Sequence, residues 1–140
     1  MVVDLVGVGM SRPGRELLDN VDLTIHQGDR VGIVDEPDQP APSWGSMTYR
    51  EVAAKARAQA ASLDALGVGV GERVAMVSHN AARLFTSFYG VSGSGRILVP
   101  INFRLNAAEI GYIVEHCGAS VLIVDPELAE DLAGVTATHR

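Results

Sequence analysis

The chain has 140 residues, 47% of them hydrophobic, and a formal net charge of −6. This length suits a single domain with one hydrophobic core. The acidic balance excludes the basic surface needed to bind nucleic acid or an anionic membrane, so neither partner is expected. The one cysteine, Cys117, excludes an internal disulfide framework and fits a reducing cytoplasm, while no apolar run reaches the roughly 20 residues that span a bilayer. We therefore expect a cytoplasmic protein.

Residues 1–34 have the pattern of a β-rich segment. Residues 2–10 predict a strand, Ser11–Glu16 a turn around Pro13 and Gly14, and Val21–Ile25 a half-exposed antiparallel strand. Residues 26–30 predict another turn, after which a short buried run ends at Val34. We interpret this segment as an addition to the domain that the rest of the chain forms.

Residues 35–46 predict an extended, solvated linker. The sequence DEPDQPAPSW that begins at Asp35 holds three of the six prolines and three acidic side chains. Trp44, near the end of the linker, either packs against the following domain or stays exposed, and the sequence leaves both interpretations open.

Residues 47–140 alternate between helical and strand periodicity. An apolar stripe at three-to-four spacing predicts a long helix after Met47. Its members are Val52, Ala53, Ala56, Ala60, Leu63 and Leu66. A short apolar run over residues 74–77 then predicts a strand covered on both faces.

The same alternation continues to Asp125. Asn80 is expected to cap a second helix, residues 96–102 to form a second strand, Asn106–Cys117 a third helix, and residues 120–125 a third strand. The predicted fold class is α/β, with a parallel βαβαβ three-layer unit whose crossovers are right-handed.

Several residues of this part have predicted architectural roles. Tyr49 should lie where a strand gives way to the long helix, with a buried ring and a hydrogen-bonded hydroxyl. Gly93 and Gly95 should let a helix end tightly before the next strand, and Pro100 should mark a strand end or bulge. Asp125 should cap the helix predicted for PELAEDL.

Other motifs are better explained by structural roles than by ligand binding or catalysis. GVGMSR at residues 7–12 lacks the third glycine of a dinucleotide fingerprint, and GVSGSG at residues 90–95 has the wrong polarity for a phosphate loop. The histidines are scattered without metal-ligand spacing, so no metal site is expected. They are His26, His79, His116 and His139.

Residues 5–34 resemble the opening of the ATP-binding subunit of ABC transporters. The phrases LLDNVDLTI and QGDRVGIV occur in the order that leads into the phosphate-binding loop in that family. The loop itself is absent: DEPDQPAP follows Val34, without the lysine and hydroxyl residue of GxxGxGK[ST]. ATP binding by this segment is not expected.

Residues 47–125 resemble the adenylate-forming acyl-CoA synthetases, also called AMP-binding ligases. MTYREV matches the motif LTYxEL, LGVGVGERVAMVSHN matches GVxxGDRVAxxxxN, and VSGSGRILVPIN matches LKAGxxxLPLN. Several phrases agree in order and spacing, which makes the resemblance fairly specific. GDRVGIVDEPDQ also fits the start of such a ligase, so the two resemblances overlap near residues 28–34.

The ligase resemblance implies a parent enzyme of fatty acid metabolism. Such an enzyme uses ATP and Mg²⁺ to convert a carboxylic acid to an acyl-adenylate and then to a coenzyme A thioester. The phosphate-binding loop, the ribose aspartate and the catalytic lysine that it implies do not occur before Arg140. The expected set of catalytic, cofactor-binding and metal-binding residues in this chain is therefore empty, and we expect an inactive fragment that binds none of these cofactors.

Two other interpretations remain open at this point. One is a degenerate ATP-binding module of the ABC type, and the other is a non-catalytic α/β scaffold that pairs an exposed sheet edge with a partner or with itself. Whether the chain is an enzyme is left undecided. A partly exposed core and marginal stability are expected.

Overall fold

A computed structural model describes residues 3–12, 15–25, 32–35, 40 and 42–139. The chain divides into two compact units, residues 1–31 and residues 32–140, and each is described by itself. The division falls three residues before the predicted boundary at residue 34, and the predicted ranges 1–34, 35–46 and 47–140 stay a prediction.

The first unit is an antiparallel strand pair. Strand β1 (Val3–Arg12) pairs with β2 (Arg15–Ile25), as predicted, although β2 begins six residues earlier than expected. The strands leave only residues 13 and 14 for the predicted turn at Ser11–Glu16, and these two lie outside the described residues. The predicted turn at residues 26–30 also lies outside them.

The second unit contains five strands and three helices among its described residues. Two short strands, β3 (Gly32–Val34) and β4 (Ser46–Thr48), pair antiparallel. The remaining elements follow in the predicted order. They are α1 (Tyr49–Ala65), β5 (Arg73–Val77), α2 (Ala82–Gly90), β6 (Ile97–Ile101), α3 (Ala107–Cys117) and β7 (Val121–Val124).

The three later strands form a parallel sheet of order β6-β5-β7, which confirms the predicted fold class. The connection from β5 to β6 runs one way across the sheet, and the connection from β6 to β7 runs back past β5. Right-handed crossovers in opposite directions place their helices on opposite faces. The sheet is therefore covered on both sides.

The core accordingly has two layers. Alternate residues of β5 point to opposite faces: Ala75 and Val77 pack with Ile110 and Val114 of α3, whereas Val74 packs with Leu63 of α1 on the other face. This alternation explains why β5 reads as a continuous apolar run, since both faces of the strand are buried.

Strand β6 lies at an edge of the sheet in the described part of the chain, because it pairs only with β5. Pro100 stands inside β6 and is exposed. Pro100 was predicted to mark a strand end or a bulge. It lies instead within an edge strand, where the missing N–H of a proline is tolerated. Gly95, just before β6, has φ of 86°, as the predicted tight turn requires, whereas Gly93 has no positive φ.

Helix α1 begins with a capping box. The Thr48 hydroxyl accepts from the Glu51 N–H at 3.3 Å, and the Glu51 carboxylate accepts from the Thr48 N–H at 2.7 Å. Tyr49 is the first helical residue, as predicted, but its side chain is 50% exposed, so the prediction of a buried ring was wrong. Met47 takes the inward position of β4 instead, and Val52 takes that of the first helical turn.

Helix α3 is held at both ends. Asn106 and Glu109 form a second capping box at its beginning, as the sequence predicted for Asn106. At its end Arg73 donates from Nε to the carbonyl of Cys117 at 2.9 Å and from Nη2 to that of Gly118 at 3.2 Å. These bonds satisfy carbonyls that a helix end leaves without partners. Cys117 is half-buried, which agrees with a structural thiol.

The capping box of α1 predicts a pH dependence. Hydrogen bonds from the Thr48 backbone and side chain lower the pKa of Glu51 from its ordinary value near 4.5. Since the folded pKa is the lower one, this carboxylate stabilises the protein above pH 4.5 and the contribution is lost as the pH falls through the folded value. Glu51→Gln keeps the hydrogen bonds but should show a smaller loss of stability between pH 7 and pH 3 in urea titrations. Glu115→Gln, on the exposed face of α3, is the control, and equal losses in the two variants would contradict the prediction.

Two helical glycines should respond oppositely to alanine. A Cβ at Gly90 would lie 3.0 Å from the carbonyl oxygen of Ala56 on α1, whereas a Cβ at Gly111 in α3 would meet no atom within 4 Å. Gly90→Ala should lower the free energy of unfolding by roughly 1–3 kcal/mol through overpacking. Gly111→Ala should raise it by up to about 1 kcal/mol through helix propensity. Thermal melts of both variants test this, and a stabilised Gly90→Ala variant would show that α1 and α2 are not closely packed there.

Candidate functional site at the carboxyl edge of the sheet

The carboxyl ends of the three parallel strands meet at one edge of the sheet, where a cleft of about 520 Å³ opens. Open α/β sheets bind ligands at this edge. The cleft is lined mainly by the residues that follow β5 and β6. They include Ser78, His79, Asn80, Asn102, Phe103 and Arg104.

A buried carboxylate closes the edge next to this cleft. Asp125, only 2% exposed, follows β7 and accepts from the Ser78 hydroxyl at 2.7 Å and from the His79 N–H at 2.9 Å. Its own N–H donates to the Val77 carbonyl at 3.0 Å. Asp125 therefore ties the end of β7 to the loop that follows β5.

This role differs from the predicted one. Asp125 precedes a short 3₁₀ turn at Pro126–Leu128, and its side chain makes no capping hydrogen bond to that turn. The predicted helix over PELAEDL was therefore too long, and the capping role of the Asp125 side chain was wrong. The Asp125 Oδ2 accepts from both the Ser78 hydroxyl and the His79 N–H instead, because these donors at the sheet edge need an acceptor.

Arg83 of α2 supplies the positive charge beside Asp125. Its Nη1 lies 3.6 Å from Asp125 Oδ1 and 3.5 Å from Glu127 Oε1, and its Nη2 donates to the Pro42 carbonyl at 3.0 Å. A buried carboxylate is stable only when paired and hydrogen-bonded. We call Asp125, Ser78, His79 and Arg83 the carboxyl-edge clamp.

A second buried carboxylate holds the beginning of α2. Asp35, 5% exposed, accepts from the Ala82 N–H at 2.9 Å and from the Trp44 N–H at 2.8 Å. The helix is therefore capped from the end of β3, and the predicted cap by Asn80 was wrong, because Asn80 is exposed and the residue at the cap position is Ala81. Asp35 was predicted to be solvated, and its burial follows from its use as a cap.

The wall of the cleft contains a stack of three side chains. The rings of His79 and Phe103 lie 4.2 Å apart, centroid to centroid, and the Arg104 guanidinium carbon lies 5.3 Å from the centre of Phe103. His79 is 8% exposed. This histidine was predicted to be one of four scattered ones. Its ring contact with Phe103 could not be foreseen, because Phe103 is 24 residues away and follows a different strand.

The lining of the cleft is polar, with Arg104 as its one arginine or lysine among the described residues. The oxygens of Asp125 are engaged with the clamp, and the described residues contain no group of three His, Cys, Asp or Glu side chains that could hold a metal ion. Arg104 and the polar groups of Ser78, Asn80 and Asn102 give the cleft the character of a polar binding surface. In the described part of the chain we find no helix long and apolar enough to cross a membrane.

The sequence model for AMP-binding enzymes matches residues 25–140. The chain belongs to the AMP-binding enzyme family. This confirms the resemblance to acyl-CoA synthetases, and the match includes residues 25–34, which the ABC transporter resemblance also covered. The comparisons give no support to the ABC transporter resemblance or to the ATP-binding module that it suggested.

Curated relatives are acyl-CoA ligases. The chain is 44% identical over 81 residues to a long-chain-fatty-acid–CoA ligase of Thermus thermophilus, which covers 58% of this chain and 15% of the relative. It is 36% identical over 92 residues to a feruloyl-CoA synthase of an Amycolatopsis species, which covers 66% of this chain and 19% of the relative. The chain thus spans less than a fifth of the length of these relatives.

Solved structures of the family agree with the fold. The N-terminal domain of FACL13 from Mycobacterium tuberculosis, bound to an inhibitor, superposes with a TM-score of 0.60 at 36% identity, covering 64% of this chain and 22% of that one. A benzoate CoA ligase from Burkholderia xenovorans gives a TM-score of 0.65 at 30% identity, covering 69% and 20%.

Removing the buried carboxylate of the carboxyl-edge clamp should be costly. Asp125→Ala leaves the Ser78 hydroxyl, the His79 N–H and the Arg83 charge without their acceptor, so we expect the free energy of unfolding to fall by roughly 2–4 kcal/mol. Urea denaturation measures this. Asp131→Ala, at an exposed aspartate, is the matched control and should change stability by less than about 0.5 kcal/mol. Similar values for both variants would mean that the clamp does not stabilise the edge.

Proposed function

We propose that this chain is the N-terminal scaffold portion of an ATP-dependent acyl-CoA synthetase. The match to AMP-binding enzymes over residues 25–140, together with a parallel β6-β5-β7 sheet closed by the carboxyl-edge clamp, carries this proposal. The parent reaction would activate a carboxylic acid as an acyl-adenylate and pass it to coenzyme A. We place the reaction in the cytoplasm.

The proposed contribution of this chain is architecture. We propose that it holds none of the catalytic, cofactor-binding or metal-binding residues of the parent reaction, and that ATP, Mg²⁺ and coenzyme A are bound by other parts of the enzyme. Adenylation requires concentrated positive charge around an anionic phosphate. The two arginines at this edge of the sheet do not form such a cluster, because Arg83 is paired with carboxylates and Arg104 lies over Phe103.

We propose that residues 1–24, which precede the family match, are foreign to the ligase scaffold. Their separate antiparallel strand pair supports this division. We further propose that nucleic acid is not a partner, since the chain carries a net charge of −6.

A non-catalytic scaffold that self-associates is the second candidate function. Strand β6 pairs on one side only within the described residues, and its Ile97 is 50% exposed. An open edge of this kind is a template for strand addition. Sedimentation analysis over a range of concentrations would separate this candidate from a monomeric scaffold.

A chimeric enzyme tests the ligase proposal. The corresponding N-terminal part of the Thermus thermophilus long-chain-fatty-acid–CoA ligase would be replaced by residues 32–139, which include β3 and Asp35. Acyl-CoA formation would be followed by mass spectrometry. We expect the chimera to keep activity within about tenfold of the parent, because the transplanted part supplies packing and not reacting groups. Asp125→Ala in the chimera should reduce the yield of folded enzyme, whereas Asp131→Ala should not. A folded chimera without any acyl-CoA product would overturn the proposal.

The isolated chain provides the complementary measurement. Calorimetric titration with ATP and Mg²⁺, and an assay of pyrophosphate release with fatty acids and coenzyme A, should both give no signal. Saturable nucleotide binding or pyrophosphate release by the purified chain would contradict the purely architectural role.

A further inference from the structure

A second cleft, separate from the one at the carboxyl ends of β5 and β6, lies between α1, α2 and the end of β7. It has a volume of about 230 Å³, and we call it the Trp44 cleft. Typical pockets for drug-sized ligands measure about 300–1,000 Å³, so an occupant would be small. Its lining includes Trp44, Lys55, Gln59, Met76, Arg83 and Thr86.

Three polar atoms on residues that line the Trp44 cleft are buried without a hydrogen-bond partner among the described residues. One is Arg83 Nη1, which has only the carboxylates of Asp125 and Glu127 near it, at 3.6 and 3.5 Å. The Thr86 hydroxyl, on a residue 3% exposed, and the Gln59 Oε1 have no hydrogen-bond partner among the described residues. The Gln59 Nε2 already donates to the Ser87 hydroxyl at 2.8 Å, which fixes the orientation of the amide. An unsatisfied buried polar atom is unfavourable, so a ligand that donates a hydrogen bond here gains binding free energy.

A cation lies at the rim of the same cleft. The Lys55 Nζ stands 4.2 Å from the centre of the Trp44 ring, and none of the three salt bridges found among the described residues involves it. Glu51, one helical turn earlier, is the carboxylate that Lys55 influences electrostatically. The other cation of the cleft, Arg83, is already matched by Asp125 and Glu127. Lys55 is therefore the group available to an anion.

The apolar floor of the Trp44 cleft and the spacing of Lys55 and Gln59 define the shape of a matching ligand. Met76, Ile123 and Val124 give an apolar floor. Lys55 and Gln59 are four residues apart on α1, so their side chains start about 6 Å from each other on one helix face. A flat molecule with an anionic group at one end and a hydrogen-bond donor at the other matches this distance.

We propose that the Trp44 cleft binds a small carboxylic acid that carries a hydroxyl or amino group at its far end. The carboxylate pairs with the Lys55 ammonium, the apolar body lies on the floor, and the far group donates to Gln59 Oε1 or Thr86 Oγ1. The bound acid undergoes no reaction there. The proposal is independent of the proposed ligase function, since it needs neither ATP nor coenzyme A.

The chain's only tryptophan and only lysine make the test direct. The full chain labelled with ¹⁵N gives one indole N–H signal, from Trp44, which would be followed during titration with 4-hydroxybenzoate and, separately, with benzoate. A ligand of this size binds on the order of 1–10 mM, so titrations run to about 30 mM. We expect a saturable shift with 4-hydroxybenzoate and about fivefold to tenfold weaker binding of benzoate, because benzoate lacks the donor.

Three variants assign the contacts. Lys55→Gln should weaken the binding of both acids about tenfold. Arg57→Gln removes an exposed charge from the same helix and is the control that should leave both affinities unchanged. Thr86→Val and Gln59→Met should each reduce the difference in affinity between 4-hydroxybenzoate and benzoate. Thr86→Val should also raise the melting temperature, because it removes an unsatisfied buried hydroxyl.

The proposal is overturned by any of three results: no saturable shift up to 30 mM, equal affinities for the two acids, or equal weakening by Lys55→Gln and Arg57→Gln. If the Thr86→Val chain does not fold, Gln59→Met decides, since Gln59 is only partly buried. If the chain binds 4-hydroxybenzoate but the folded ligase chimera forms no acyl-CoA, the binding proposal stands and the proposed ligase function fails.

Discussion

Strand β5 is the element on which the rest of the second unit depends. It pairs with β6 on one side and β7 on the other, and Val74, Ala75 and Val77 have no exposed surface. Because its neighbours are reached by crossovers in opposite directions, β5 lies in the middle of the sheet and contributes side chains to both core layers. The loop that follows β5 also provides two of the donors that bind Asp125, so the strand fixes both the core and the edge of the sheet.

Several partly or fully buried polar side chains of this unit have a common pattern. Arg73, Asp35 and Asp125 each connect elements far apart in sequence, and each does so through backbone groups at an element's end. Such groups would otherwise lack partners, since helix ends and strand ends expose N–H and C=O groups. A charged side chain satisfies them more strongly than a neutral one does. The polar network therefore holds the ends of the strands and helices in place.

The sequence predicted most of the local structure. The strands and helices between Met47 and Val124 followed from apolar periodicity, and the capping of α3 by Asn106 followed from local chemistry, because these features depend on neighbours within a few residues. The failures involved long-range contacts. The cap of α2 by Asp35 and the role of Asp125 join residues 46 or 47 positions apart. Tyr49 was misjudged because the chain changes from strand to helix there: Met47 is the inward residue of β4, and Val52 is the first inward residue of α1. The Trp44 cleft left no signal in the sequence, since its lining comes from α1, β5, α2, β7 and the loop that contains Trp44.

The cap that Asp35 provides to α2 also constrains how this part of the molecule folds. The helix has nine residues and no side-chain cap of its own, which is shorter than the roughly 12–15 residues that an isolated helix needs to be stable in water. Its first turn is completed only when the end of β3 has docked, so helix formation at residue 82 waits for a contact that closes a loop of more than forty residues. Strand β3 and helix α2 should therefore gain and lose amide-exchange protection together, as one cooperative unit, although they are neighbours only in space.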